Sequence, residues 1–161
     1  MPTFIDRAPI PGQPTWFDIG SERISLRDNQ IIHWAVLTRK HIARPAPTAT
    51  PFPVILDTGF THSFALNEHH LGNWAGLQID TFPALGSIRD RGSRIPLHVA
   101  NLWVYPNQRG SRVRLANRVC HQLETDFGIA VYPGNSFPRI PILGLRSITK
   151  NQLRLTIDGK R

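Results

Sequence analysis

The stretch Val54-Ile55-Leu56-Asp57-Thr58-Gly59 carries an acidic residue out of an aliphatic run and into a Thr-Gly turn. An aliphatic run that ends in turn residues predicts a buried strand. Gly59 has no Cβ to clash, so the backbone can turn sharply there, and the Thr58 hydroxyl can tie the turn to a neighbouring segment. The pattern therefore predicts an acid–base group, Asp57, at the end of a buried strand.

The rest of the sequence predicts one mostly β domain. Its 161 residues suffice for one core, and a hydrophobic fraction of 40% is ordinary for a globular protein. Val, Ile, Leu and Phe occur in short runs punctuated by 14 prolines and 12 glycines, which favours strands over helices. We expect an irregular N-terminal arm over residues 1–22 and a single domain over residues 23–161.

Strand and helix signals follow one another along this domain. Residues 31–38 and 52–57 predict a hairpin with a long proline-rich connection. Asn67 predicts the start of a brief helix through about Trp74, and Gly76 its end. The remaining strands are expected at 79–88, 95–105, near 112–120, 128–132 and 153–157, with a short helix around 146–149.

The charge and the cysteine content limit the functional classes. The net charge is +8, but the basic residues are scattered among Gly, Ser, Val and Leu and form no recognisable nucleic-acid-binding motif. We therefore favour a solvated basic surface over a nucleic-acid site. The single cysteine, Cys120, implies no disulfide, and we see neither a secretory signal nor a membrane span. A cytoplasmic protein without a membrane partner is expected.

A second apolar segment that ends in glycine lies far downstream of the acid turn. Ile55-Leu56-Asp57-Thr58-Gly59, together with Ile142-Leu143-Gly144, a short helix and the Leu-x-Leu-x-Ile pattern at 153–157, resembles the retropepsin-like (clan AA) aspartic proteases. The variant Asp-Thr-Gly-Phe-Thr is similar to the bacterial, single-domain members. The resemblance covers about residues 31–158. It implies a small β-barrel with one or two short helices.

The resemblance also implies a homodimeric aspartic endopeptidase that acts on peptide or protein substrates without a metal or organic cofactor. The chain has a single Asp-Thr-Gly, so each subunit would contribute one Asp57. Two carboxylates held about 3 Å apart share one proton and titrate as a pair. One can then act as a base on water while the other, as an acid, polarises the substrate carbonyl.

Further residues take roles by the same resemblance. Thr58 and Gly59 would support the site, Thr58 across the dimer and Gly59 by admitting the substrate backbone. Ile142, Leu143 and Gly144 would pack beneath the acid turn. The hairpin from about Pro83 to Pro96 would be the flap that closes over bound peptide. The residues expected to line the flap and pocket are Phe60, Leu85, Gly86, Ser87 and Ile88. Phe60 replaces a commonly small residue, and either narrows a substrate pocket or fills the core.

Other interpretations stay open beside this one. Asp57 could cap backbone amides in a structural turn. The chain could be an inactive peptide-binding or assembly module of the same fold, or a basic nucleic-acid-associated protein. His62, His69 and His70 lack ligand spacing for a metal, so we predict no metal site. Cys120 and His121 would face opposite sides of a strand, which argues against a thiol–imidazole pair.

Overall fold

The computed structural model describes residues 5–115, 119–125 and 128–156. Strands dominate these residues, so the prediction of a mostly β protein is confirmed. The strands are β1 (Thr15–Ile19), β2 (Glu22–Leu26), β3 (Ile32–Thr38), β4 (Phe52–Asp57), β5 (Phe64–Asn67), β6 (Ala84–Asp90), β7 (Ser93–His98), β8 (Asn101–Tyr105), β9 (His121–Leu123), β10 (Ile129–Tyr132) and β11 (Ile142–Gly144).

Helical structure in this part of the chain is confined to three short segments. They are a π-helical turn at His70–Trp74, a 3-10 turn at Ile79–Thr81 and the helix α1 at Leu145–Lys150. The Asn67 side chain accepts a hydrogen bond from the His70 N–H (2.9 Å), and Gly76 has a φ of +66° after the first turn. Both predicted boundary residues therefore act at the ends of this turn. None of the described helices is long and apolar enough to span a bilayer.

Nine strands form one sheet in the order β6-β7-β10-β5-β11-β4-β3-β8-β9. Over the described residues this sheet does not close on itself, since β6 and β9 each pair on one side only. The expected β-barrel is therefore wrong for this part of the chain, and an open sheet with two edges replaces it. The sequence pattern could not show this, because each strand's alternation is the same in an open sheet and in a barrel.

The core lies against the centre of this sheet. Strands β4 and β5 are buried along most or all of their length, and so is β11, which lies between them. The predicted hairpin of β3 and β4 is confirmed, with antiparallel pairing from Ile32↔Ile55 to Ala35↔Phe52. Burial of such aliphatic strands contributes about 25 cal/mol for each Å² of apolar surface removed from water. The acid turn thus follows one of the best-packed strands.

The N-terminal segment is more regular than predicted. Residues 15–19 form β1, which pairs antiparallel with β2 in a separate two-stranded sheet, so the arm is not irregular up to residue 22. Gly20 has a φ of +56° in the two-residue connection. Glu22 joins this hairpin to the domain, because its Oε1 accepts hydrogen bonds from Trp74 Nε1 (3.2 Å) and pairs with His69 Nε2 (2.8 Å). The predicted boundary at residue 22 therefore cuts through a hairpin.

Several other boundaries differ from the predictions. Residues 153–156 form no strand, and position 157 lies outside the described residues, so the predicted terminal strand is not formed where it can be assessed. The expected strand at 79–88 begins with a 3-10 turn, and the one at 95–105 is divided into β7 and β8. Of the strand expected near 112–120, only a bridge at Arg114 forms among the described positions, and positions 116–118 lie outside them.

Candidate active site

The acid turn is a tight loop at the end of β4, held by its own backbone. The Asp57 side chain is half-buried, while Thr58 and Gly59 are exposed. Gly59 N–H donates a hydrogen bond to Asp57 Oδ1 (2.9 Å), and Phe60 N–H donates to the Asp57 carbonyl (3.2 Å). A Cβ at Gly59 would lie 3.2 Å from Oδ1, tighter than almost all real Cβ contacts. Glycine therefore leaves room for the carboxylate to fold back over the turn.

Strand β11 runs beside this turn and fixes it from within the sheet. It pairs parallel with β4, with Leu143 opposite Leu56 and Gly144 opposite Asp57. On its other side it pairs antiparallel with β5. The structure thus brings Ile142, Leu143 and Gly144 alongside the end of the acid strand, although more than 80 residues separate the two segments along the chain.

Gly144 lies where no side chain can fit. A Cβ there would be 2.6 Å from the Phe60 carbonyl oxygen and closer still to that of His62. Gly144 N–H donates a hydrogen bond to the Ser63 carbonyl (3.0 Å), and the next residue, Leu145, donates to the Phe60 carbonyl (2.9 Å). The segment after Asp57 is therefore attached to β11 by main-chain contacts on both sides of Gly144.

Phe60 makes the core contacts expected under one of the two roles that the sequence left open. Its ring is half-buried, packs against the hydrophobic core, and would lie 2.8 Å from a Cβ at Gly144. The ring of His62 contacts it edge-on, with 5.5 Å between ring centroids. Phe60 thus helps to fill the core beneath the acid turn.

The outward side of the acid turn carries unpaired groups. Within the described residues, Asp57 Oδ2 and the Thr58 hydroxyl make no hydrogen bond. Leu145, next to Gly144, has 41% of its surface exposed, which is high for a large apolar residue. Among the residues that the structure describes, a carboxylate oxygen and a hydroxyl without hydrogen-bond partners thus lie near a largely exposed aliphatic side chain.

The candidate flap is the hairpin of β6 and β7. Leu85, Gly86 and Ser87 are exposed on β6, and Ile88 is half-buried and packs against the core. Gly86 has a φ of +135° at an irregularity in the pairing, a conformation that favours glycine. Four strands separate β6 from β4 in the sheet order. The structure thus does not place these four residues in the same part of the sheet as Asp57.

The tip of the hairpin is a two-residue turn at Arg91-Gly92, flanked by the pair Asp90↔Ser93. The φ values of Arg91 (48°) and Gly92 (81°) are both positive, as in the type I′ turns that suit the twist of hairpins. The tip is anchored by two aromatic residues. Tyr132 Oη donates to Asp90 Oδ2 (2.9 Å), and the Arg91 guanidinium lies 4.6 Å from the ring centroid of Phe137.

His62, in the segment after the acid turn, has a perturbed pKa. Burial is the main cause that lowers its pKa, the Arg146 charge lowers it further, and the negative Asp90 opposes both. Our sequence prediction missed Asp90, Tyr132 and Phe137, because no local pattern indicates a contact between residues 42 apart.

The other residues considered as possible metal ligands or nucleophiles, His69, His70 and Cys120, make structural contacts. His69 pairs with Glu22, and His70 packs on Trp74 with 4.2 Å between ring centroids. The pKa of the Cys120 thiol is raised, mainly by burial, and its interaction with the Tyr105 hydroxyl opposes that shift. Within the described residues, no three His, Cys, Asp or Glu side chains are placed to hold a metal ion.

Comparison with known proteins gave no match: no protein-family model, curated protein or solved structure matches this chain.

Proposed function

We propose that this chain is one subunit of a homodimeric, retropepsin-like aspartic endopeptidase, in which two Asp57 carboxylates activate a water molecule. The observation that carries the proposal is the pairing of Gly144 with Asp57 between β11 and β4. This pairing fixes the end of β4 and with it the position of Asp57. It supports the proposal because a catalytic carboxylate must be held within about 0.5 Å of its productive position.

The need for a second subunit follows from the chemistry. Peptide hydrolysis by carboxylates needs a base for the water and an acid for the carbonyl, and the described acid turn supplies one carboxylate. The half-buried Asp57, the exposed Thr58 and the exposed Leu145 give the turn an outward side on which a second copy can pack. A two-fold axis beside this turn would bring the two carboxylates together and bury Leu145.

In that arrangement the two Asp57 side chains share one proton, because like charges about 3 Å apart cannot both ionise readily. The ionised member takes a proton from water as that water attacks the substrate carbonyl, and the protonated member stabilises the developing oxyanion. The pair returns to its starting state when the amine leaves with a proton. The activity should then follow a bell-shaped pH profile that belongs to the pair.

A peptide library and light scattering test the proposal. We expect a dimer in solution and cleavage of the library at acidic to neutral pH, read by mass spectrometry. Asp57→Asn should lower cleavage by a factor of at least about 10² while the dimer persists. The matched control is Asp80→Asn, since Asp80 is an exposed carboxylate in the 3-10 turn. It should leave cleavage unchanged.

Mixing subunits tests the shared site directly. An excess of Asp57→Asn protein should inhibit the wild type, because most wild-type subunits would then be in mixed dimers with one carboxylate. Unchanged activity after subunit exchange would contradict a site built from two chains. If the wild type is dimeric and cuts no peptide from pH 3 to 7, the endopeptidase proposal fails. Peptide binding that survives Asp57→Asn would then support the binding-module alternative.

A further inference from the structure

We infer that Tyr132 and Phe137 form a seat for the tip of the β6–β7 hairpin, and that this seat positions the hairpin for ligand binding near the acid turn. The inference rests on the proposed function for what the hairpin covers. It makes Tyr132 and Phe137 positioning residues, because they act on the hairpin and not on the reacting atoms.

The seat is built from two contacts that support each other. The Tyr132 hydroxyl donates to Asp90 Oδ2 at 2.9 Å, and the Arg91 guanidinium lies 4.6 Å from the Phe137 ring centroid. The two rings pack edge-on, with 4.9 Å between their centroids. Burial raises the pKa of Tyr132, and the Asp90 carboxylate raises it further, so the hydroxyl stays protonated and remains a donor. A hydrogen bond to a charged acceptor is among the stronger side-chain contacts.

The seat lies on a buried strand, whereas one strand of the hairpin is an edge strand. Tyr132 is the last residue of β10, which is buried along its length and pairs with β5 at Asn67. By contrast, β6 is an edge strand with four exposed residues at its start. The hairpin is otherwise held through β7, which pairs with β10 and buries Ile95 and Leu97. Contacts at the tip therefore matter most for β6, where local opening is easiest.

The charge of Asp90 also acts on His62, whose carbonyl oxygen lies against Gly144. Release of Asp90 from Tyr132 would free the hairpin tip, which under the proposed function covers the ligand.

Hydrogen exchange measured by mass spectrometry tests the seat without any assay of activity. Tyr132→Phe keeps the ring and removes only the hydroxyl. We expect amides over residues 84–98 to exchange about tenfold faster, while β3 and β4 stay protected. The chain has two tyrosines, so Tyr105→Phe on β8 is the matched control. It removes the same atom far from the hairpin and should leave exchange over residues 84–98 unchanged. Equal exchange in the two variants would overturn the seat.

Steady-state kinetics add a readout that a merely structural role would not move. If the seat positions the hairpin, Tyr132→Phe should raise KM several-fold and leave kcat within about twofold, since the lost interaction holds bound substrate equally before and during reaction. General destabilisation would instead lower the melting temperature and the amount of active enzyme at unchanged KM, which would overturn the positioning role. A wild type that cuts no peptide would contradict the proposed function, and the exchange result would still decide whether the seat exists.

Discussion

The acid turn and the tip of the β6–β7 hairpin are both short turns, but different parts of the chain hold them. Main-chain pairing with β11 and the hydrogen bonds around Gly144 fix the acid turn. Side chains, those of Tyr132 and Phe137, fix the hairpin tip. Main-chain fixation sets a position accurately but tolerates no added atoms, whereas side-chain fixation can be weakened in steps. The first suits a group that does chemistry, and the second suits a group that has to move.

The largest loss of stability is expected on substitution of Gly144, which fixes the acid turn. Gly144→Ala would place a Cβ 2.6 Å from the Phe60 carbonyl oxygen. Movement of Gly144 would break its pairing with β4, and movement of the Phe60 segment would break its hydrogen bonds to Gly144 and Leu145. We expect the free energy of unfolding to fall by about 4 kcal/mol or more, as for the most damaging single substitutions. Urea denaturation of the purified variant measures this. Gly72→Ala is the control, since a Cβ at Gly72 would meet nothing within 4 Å, and it should change stability by no more than about 1 kcal/mol.

A second large effect on stability is expected at the buried residue His33 as the pH falls. Burial lowers the pKa of His33 to about 4, whereas its ordinary value is 6.5. Below pH 6.5 the unfolded chain takes up a proton that the folded chain refuses, so stability present above pH 6.5 is lost progressively down to about pH 4. The loss is on the order of 3 kcal/mol for this residue.

Denaturation at a series of pH values checks the His33 prediction. His33→Leu should flatten the fall in the free energy of unfolding between pH 6.5 and 4, while His41→Gln, at an exposed position, should not. A profile for His33→Leu as steep as that of the wild type would show that other groups cause the acid sensitivity.

The hairpin tip should tolerate change that the acid turn does not. A Cβ at Gly92 meets nothing within 4 Å, but its φ of +81° disfavours L residues. Gly92→Ala should therefore cost about 1 kcal/mol of stability, from backbone strain alone. Gly92→Asn should recover part of that loss, because Asn accepts positive φ more readily. Thermal unfolding of the pair measures both. A loss as large as that of Gly144→Ala would remove the distinction between the two turns.

The smallest effect is expected at the ion pair of Arg23 with Asp18, at 3.0 Å on the exposed β1–β2 hairpin. Exposed pairs gain little in water and are screened by salt. Arg23→Gln should leave the melting temperature unchanged within error at both low and high salt. A clear drop at low salt that high salt abolishes would show that the small sheet depends on its charges.

Local signals made the acid site largely predictable from the sequence. The run from Phe52 to Asp57 has the residues of a buried strand, and the strand forms over that range. The family resemblance, and not a local pattern, placed Ile142-Leu143-Gly144 beside the acid turn, and the structure shows Gly144 close to Phe60 and His62. A hairpin was expected from about Pro83 to Pro96, and one forms there from β6 and β7 with its tip at Arg91-Gly92.

What the sequence did not predict depends on contacts between distant residues or on how strands associate. The contact of Asp90 with Tyr132 leaves no local pattern, and neither does the choice between an open sheet and a barrel. The β1–β2 hairpin does have a local pattern, since Gly20-Ser21 separates two alternating segments. The prolines and glycines nearby led us to predict an irregular arm instead. Leu153 packs against the core although residues 153–156 form no strand. The alternating apolar pattern that begins at Leu153 therefore indicates burial and not sheet pairing.

The position of β11 has a consequence for how this protein folds. It is inserted between β4 and β5, two strands that precede it by some 80 residues, and it follows every other described strand along the chain. During synthesis, β4 and β5 therefore lack the strand that lies between them until residue 144 has been added. Strand pairing over so long a separation is slow, and exposed strand edges invite association with other chains. A nascent chain thus cannot fix its acid turn against β11 before that point, and the turn reaches its final position late in folding.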